Sequence, residues 1–326
     1  MARQSDLKRL WAVLLMSERG AAMKVSVIIL TYNRAKLLPI AINSVLVQTY
    51  QDFDIIVVDD ASNDNTREVV YAIDEPRIRY IRNEVNKGES ASRNIGVRAC
   101  SSELITFLDD DDEWLPQKLE LQIRAFEKGK KDVGLIYTGL KMVDTDSGAV
   151  LSEVKPKKSG DLSSAILTKN WIGTPSSVMI KRHCINAVGL FDENIVFGPD
   201  WDMWIRISKH YLIEFIDVPL LKYRIHNNRL SSNYKARIQG WETIRKKYRL
   251  EYNRNNQAAG EMYLRLGESF CFDKKFGKAL IEFGKGILVN PYERRTYYNI
   301  MLLALGGSGY KAVKSWRRKK ILAECR

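Results

Sequence analysis

Histidine and cysteine are scarce in this chain, with three and four among 326 residues. Cys100, Cys184, Cys271 and Cys325 are widely spaced and form no Cys-x-x-Cys pair, which excludes a cysteine-rich zinc cluster and a disulfide framework. Such cysteine usage points to a reducing, cytoplasmic setting. Long apolar runs are missing too. The stretch from Leu10 to Met16 is far short of the roughly 20 residues that cross a bilayer, and it lacks a signal-peptide cleavage pattern. No helix-turn-helix, zinc-finger or RNA-binding signature occurs, so nucleic acid is not an expected partner despite a pI near 9.4. Low-complexity tracts, which would argue for disorder, are absent as well.

What is present is ordinary for a folded enzyme-sized protein: 45% hydrophobic and 10% aromatic residues, enough for a substantial core. At roughly 100 to 200 residues per domain, the length implies one large domain and an appendage. Charge divides the same way. Residues 1–234 carry 31 basic and 31 acidic side chains, whereas residues 235–326 carry 21 and 8, so the whole excess of +13 lies at the carboxyl end. A basic appendage on a neutral body fits either a solvated Lys/Arg face or a polyanionic neighbour such as an anionic membrane surface.

The run Val25-Ser-Val-Ile-Ile-Leu30 is short, β-branched and almost wholly apolar, the pattern of a strand buried on both faces of a parallel sheet. Helical and strand patterns alternate after it: helix over about 35–48, strand 53–58, helix 65–73, strand 78–81, helix 90–99 and strand 104–108. A helix over 117–128 and strands at 134–138 and 177–181 complete the series. This alternation predicts an α/β fold with a doubly wound sheet, and ligands in such sheets bind beyond the carboxyl ends of the strands. Three strands end in chemically distinctive residues there: Thr31-Tyr32-Asn33, Asp59-Asp60, and Asp109 to Asp112.

Phe107-Leu-Asp-Asp-Asp-Asp-Glu-Trp114 places several hard oxygen donors at one sheet edge, suited to Mg²⁺ or Mn²⁺. An isolated tetra-aspartate reads as an acidic surface turn; the apolar strand before it and Trp114-Leu-Pro116 after it favour a metal site. Asp59-Asp60 is placed to accept hydrogen bonds from a base or ribose, although by itself an Asp-rich segment reads as a turn or helix cap.

Taken in order, Val27-Ile-Ile-Leu-Thr-Tyr-Asn33, Val57-Val-Asp-Asp-Ala-Ser62, Gly88 with Ala91-Ser-Arg-Asn94, and Phe107 to Trp114 resemble family 2 inverting glycosyltransferases over about residues 24–230. The resemblance implies a GT-A fold with a mixed sheet, and transfer of a sugar from a nucleotide-diphosphate donor, UDP by default, to an acceptor hydroxyl. It implies that Thr31, Tyr32 and Asp60 line the nucleoside pocket, that Arg93 lies near the diphosphate or base, and that Asp109, Asp110 and Asp111 form the DxD site. Asp111 is then the direct ligand of Mn²⁺ or Mg²⁺. Gly198-Pro-Asp-Trp-Asp-Met-Trp204 resembles the family's Glu-Asp segment, which makes Asp200 the candidate base, with Pro199 where the family carries Glu.

Asp202 is the alternative base or an acceptor contact, and at helical spacing it is also a partner for Arg206. Trp201 is a candidate acceptor platform or a core residue. Tyr223-Arg-Ile-His226 resembles the element after the base, where His226 approaches the metal or diphosphate. The expected acceptors are a lipid-linked saccharide, a growing polysaccharide or a protein glycan.

Residues 1–22 form an amino-terminal extension readable as an interfacial helix, a disordered arm or a misassigned start. Residues 23–234 form the catalytic domain and 235–326 a smaller all-helical, basic region. Within that region, Leu266-Gly267, Phe270, Ala279, Phe283, Gly286 and Pro291 resemble one tetratricopeptide unit, which cannot bury its own face. Residues 311–320 supply a basic stretch for an anionic surface on the inner face of the cell membrane. Two other readings stand beside the enzyme: a nucleotidyltransferase of related fold, for which residues 30–33 lack the Gly-rich phosphate loop, and a catalytically silent carbohydrate-binding scaffold.

Overall fold

The computed structural model describes residues 23–145, 147–225, 233–303, 309–310 and 312–313. Its first half is a set of β-α-β crossovers. Strands β1 (Val25–Thr31), β2 (Phe53–Asp59), β3 (Ile78–Arg82) and β4 (Leu104–Asp109) are joined by helices α1 (Leu38–Leu46), α2 (Thr66–Tyr71) and α3 (Glu89–Ala99). The remaining strands are β5 (Glu113–Trp114), β6 (Val133–Asp144), β7 (Val150–Val154), β8 (Val178–Lys181) and β9 (Leu212–Ile225). They complete a mixed sheet ordered β3-β2-β1-β4-β8-β6-β9-β5, with β7 paired to β6. The parallel strands β1, β2 and β4 are buried on both faces, as their unbroken apolar runs require.

Between these strands lie α4 (Lys118–Lys128), α5 (Ala165–Thr168), α6 (Arg182–Val188) and α7 (Pro199–Ser208). Register places Leu30 beside Asp109 and Thr31 beside Asp59, so the distinctive strand ends form one rim.

Helix α1 starts three residues later than the pattern suggests. Pro39 occupies its first turn, where a fixed φ and missing N–H are tolerated. Strand β6 runs past residue 138 because its second half pairs with β7 and β9. The long strand β9 has no clear sequence signature. Pro219 interrupts it near two register shifts, and its burial alternates irregularly.

One hydrophobic cluster lies under α1 and α4; the other begins on the opposite face and continues into the carboxyl-terminal helices. These are α8 (Tyr234–Lys247), α9 (Arg249–Arg254), α10 (Asn256–Phe272), α11 (Phe276–Val289) and α12 (Arg294–Leu303). Asn233 and Asn255 cap α8 and α10 by accepting the backbone N–H of Ala236 and Ala258. Helices α10 and α11 form a hairpin so close that a Cβ at Gly267 would overlap the Phe283 ring. Trp241 and Ile244 share the larger cluster with Trp201, so these helices and the sheet have a continuous core. Among the described residues no helix is long and apolar enough to cross a membrane. Residues 1–22, His226 and most of the basic 311–320 stretch lie outside the described residues.

Candidate active site

Two cavities open side by side along the carboxyl rim of the sheet. The first, about 420 Å³, is lined by Thr31, Tyr32, Asp60 and Asp109 to Asp111, together with Arg34, Gly88 and Glu89. The second, about 470 Å³, contains Asp200 and Asn170 and extends to Trp241 and Arg265 of the carboxyl-terminal helices. Glu89, Asp109 and Tyr223 line both, so they mark the border.

The loops after β1 and β2 are tied together. Asn33 donates its backbone N–H to Ser62 Oγ at 2.9 Å and accepts that of Asn63 at 2.7 Å. Asn33 and Ala61 hold positive φ angles of 53° and 66°. For alanine this conformation costs about 1–2 kcal/mol, and the neighbouring hydrogen bonds hold it in place. The paired aspartates then divide. Buried Asp59 accepts the Ser62 N–H at 2.8 Å and the Tyr80 hydroxyl, which makes it a brace. Asp60 turns to the cavity's back wall and accepts the N–H groups of Lys87 and Gly88, both at 2.8 Å. Gly88, at φ +85°, supplies the bend from which α3 begins. The first turn of α3 therefore opens onto the first cavity, where unpaired N–H groups and the helix dipole favour an anion. Thr31 lies buried beneath, and Tyr32 is 44% exposed at the mouth.

Arg93 projects from α3 with 1% exposure and pairs with Glu89 and with Asp109 at 3.0 Å. Burial works against its charge, but Glu89, Asp109 and Asp200 outweigh burial and hold the guanidinium above its usual range. Its Nε and Nη1 atoms are buried without a hydrogen-bond partner, and Arg93 lines neither cavity, its guanidinium lying over the Phe191 ring at 5.6 Å.

Crowded carboxylates define the border. Burial raises Asp109 despite Arg93, and burial with the Asp111 charge pushes Asp110 up to about 7 against the pull of Arg34. Asp112, raised well above the usual carboxylate range by burial and by Asp109 and Asp111, accepts the Arg224 N–H at 3.3 Å. Arg34 gathers two of these charges, contacting Asp110 at 3.1 Å and pairing with Asp111. A bare oxygen cluster whose members resist ionisation and recruit an arginine has the chemistry for a hard divalent cation. Among the described residues no three carboxylate, histidine or cysteine groups converge as a complete ligand set. The residues thus fit a cation held by one or two carboxylates with phosphate oxygens and water filling the remainder.

On the other side, Gly198 at φ +78° precedes α7, Pro199 takes its first position and Asp200 its second. Proline suits that first position, which explains locally how α7 starts without a glutamate there. Asp200 accepts a hydrogen bond from Asn170 Nδ2 at 3.2 Å. Burial and the Glu89 charge raise it to about 6, against the opposing pull of Arg93.

Two acceptor-side expectations are corrected. Asp202 is fully buried and turned away from the cavity, bound to Arg206 at 3.0 Å, Lys247 at 2.8 Å and the Tyr248 hydroxyl at 2.6 Å. Its helical partnership with Arg206 is the reading that the structure adopts. Trp201 lines the second cavity, but it is 2% exposed, donates its indole N–H to Ile166 O at 2.7 Å and carries Arg265 over its ring, so it is a packed wall rather than an open stacking platform. His226 lies outside the described residues.

Sequence reasoning missed Arg34, Glu89, Asn170, Trp241 and Arg265. Arg34 and Glu89 had a signal, since each directly adjoins a recognised motif. The last two sit far along the chain with no local mark.

A family model described as glycosyl transferase family 2 matches residues 26–185. An Escherichia coli relative named UDP-Glc:alpha-D-GlcNAc-diphosphoundecaprenol beta-1,3-glucosyltransferase WfgD is 32% identical over 223 residues, 68% of this chain and 85% of the relative. The fold also matches the crystal structure of S. aureus TarS 1–349 in complex with UDP-GlcNAc, with a TM-score of 0.61 and 19% identity over 91% of this chain and 92% of that one. A Pyrobaculum calidifontis mannosyltransferase in complex with GDP-Man and Mn²⁺ aligns with a TM-score of 0.56 and 17% identity, covering 98% and 93%. The match runs from β1 across the carboxylate rim into α6 and ends before α7, which carries Asp200. This chain belongs to glycosyltransferase family 2, with a GT-A fold and a helical carboxyl-terminal region.

Proposed function

We propose that the protein transfers a sugar from a UDP-sugar to an acceptor hydroxyl with inversion at the anomeric carbon. The observation that carries this reading is the pair of cavities sharing Asp109, Glu89 and Tyr223, with the carboxylate cluster on one side and Asp200 on the other. UDP is favoured because it occurs in the names of both the E. coli relative and the S. aureus complex.

In this reading Thr31, Tyr32 and Asp60 hold the nucleoside. The first turn of α3 faces the diphosphate, with Arg93 behind it holding Glu89 and Asp109, and preorganised donors of this kind stabilise charge on a departing nucleotide. Asp109, Asp110 and Asp111 would hold Mn²⁺ or Mg²⁺, with Asp111 the direct ligand, and the cation would supply further neutralisation of the leaving diphosphate. A cation held there would take the place of the Arg34 charge beside Asp111. Asp200 removes the acceptor proton, and its raised affinity for protons, about 6, suits a base working near neutrality. Attack from the Asp200 side on a sugar whose leaving group lies on the Asp109 side is a single displacement.

The test is binding and turnover across a panel of UDP-, GDP- and dTDP-sugars, with and without Mn²⁺, in the native chain and in Asp111→Ala and Asp200→Asn. Metal-dependent binding of one donor, lost in Asp111→Ala and retained without turnover in Asp200→Asn, is expected. Failure to bind any nucleotide sugar would leave a scaffold role instead.

A further inference from the structure

Helix α11 buries one side and leaves the other open. Its buried residues are Ala279, Glu282, Phe283 and Gly286, and Phe283 packs on Gly267 of α10. At about 100° per residue, the opposite side carries Gly277, Ile281, Gly284 and Leu288, with Leu280 beside them. Leu280, Ile281 and Leu288 are 46%, 58% and 85% exposed, and a Cβ at either glycine would meet nothing within 4 Å. Tyr292, just past the end of the helix, is almost fully exposed as well. Single exposed apolar side chains are ordinary, but an aliphatic stripe along the outside of one helix marks a surface that another body covers.

The charges around the stripe identify that body. Lys278 and Lys285 line one edge of it, and Lys274 and Lys275 precede it. Between residues 256 and 303 the acidic side chains are Glu261, Glu268, Asp273, Glu282 and Glu293, and none is exposed. Four of them pair with lysine or arginine, and Glu268 accepts the Asn299 amide at 3.3 Å. Lys274, Lys278 and Arg294, by contrast, are exposed and have no ion-pair partner among the described residues. The stripe therefore lies in a field of one sign. A second copy would set these lysines against their own kind, and interfaces between proteins are depleted in lysine. An anionic bilayer surface matches both features: aliphatic side chains enter the acyl boundary while the ammonium groups beside them meet headgroup phosphates.

We infer that the outer face of α11 is a docking surface for an anionic phospholipid bilayer. Ile281 and Leu288, with Leu280, enter the headgroup boundary, and Lys274, Lys278 and Lys285 meet the lipid phosphates. Helix α10 stands between this face and the second cavity, touching α11 through Gly267 and lining the cavity through Arg265. The docked surface and the cavity of Asp200 are thus separated by one helix. Residues 311–320 take no part in this surface.

The experiment measures co-sedimentation of the full chain with vesicles of equal parts phosphatidylglycerol and phosphatidylcholine, and with vesicles of phosphatidylcholine alone. Binding to the anionic vesicles is expected to be at least about tenfold stronger and to weaken as salt rises. Ile281→Gln with Leu288→Gln should lower that binding at least about tenfold, and Lys274→Glu with Lys278→Glu by a similar factor. Leu280→Gln with Leu288→Gln repeats the test at a second pair of exposed positions, so misfolding of one variant does not decide the outcome. The 311–320 stretch is intact in every variant, so charge acting there alone would appear as binding that the glutamine substitutions leave unchanged. That result overturns the inference, as does absence of binding or equal binding to both kinds of vesicle. A native chain that is a dimer without lipid, and a monomer once Ile281 and Leu288 are replaced, overturns it too, since a second copy would then cover the face.

Discussion

The two sides of the border are built by different means. On the donor side, Thr31, Asp60, Arg93 and Asp109 to Asp111 come from within 81 residues, at the ends of adjacent strands or the start of the helix between them. On the acceptor side, Asn170, Asp200, Trp241 and Arg265 come from a loop and three helices spread over nearly a hundred residues. Strand order alone assembles the first; only packing assembles the second. A site of the first kind survives in short motifs, while one of the second kind changes freely with the appended helices.

The largest effect should come from the group that joins the two sides. Asp200→Asn is expected to lower kcat by about 10² to 10⁴ while leaving the affinity for UDP unchanged, measured by product formation beside calorimetry. Equal losses in both would place Asp200 in donor binding and break the division. The pH profile sharpens the same point. A base that must be ionised, with its proton affinity at about 6, predicts a kcat/KM that falls about tenfold per pH unit below that value and levels off above it.

Asp110 on the donor side and Asp200 across the border bind protons more tightly in the folded chain than a free carboxylate does, at about 7 and about 6. The folded state therefore holds more protons than the unfolded state between about pH 4 and 7, and metal-free stability falls as pH rises through that window. Thermal melts should show Mn²⁺ raising Tm more at pH 7.5 than at pH 5. A shift of equal size at both would detach the carboxylate cluster from the cation.

On the acceptor side, Phe283→Ala removes a fully buried ring from the α10–α11 contact and should cost about 3–5 kcal/mol in chemical denaturation. Because the core is continuous with the sheet, a single transition is expected rather than separate loss of the helices. The smallest effect is on the donor loop. Ala61→Gly relieves a left-handed alanine and should raise stability by up to about 1 kcal/mol, with donor affinity preserved.

Legibility in the sequence followed the same division. Val25 to Leu30 and Leu104 to Leu108 were readable because strands buried on both faces must be apolar throughout. Strand β9 was not, since a partly exposed strand broken by Pro219 satisfies no simple period. Asp59 and Asp60 stood out together, but nothing local says that the first braces a loop through Ser62 and Tyr80 while the second shapes the cavity. Likewise Asp200 and Asp202 share one helix turn. Two residues of spacing turn them about 200° apart, so one faces the cavity and the other the salt-bridged core.

The sequence by itself determined the alternation of strands and helices, the rim on which the carboxylates gather and the family to which the chain belongs, because each depends on short-range periodicity or on strand ends. Only the tertiary structure decided which carboxylates meet an arginine, which stay buried as braces, and that Trp241 and Arg265 reach the cavity of Asp200. Those outcomes depend on contacts between segments distant in the chain, where the close approach of backbones at Gly240 and Gly198, rather than any local pattern, sets the geometry.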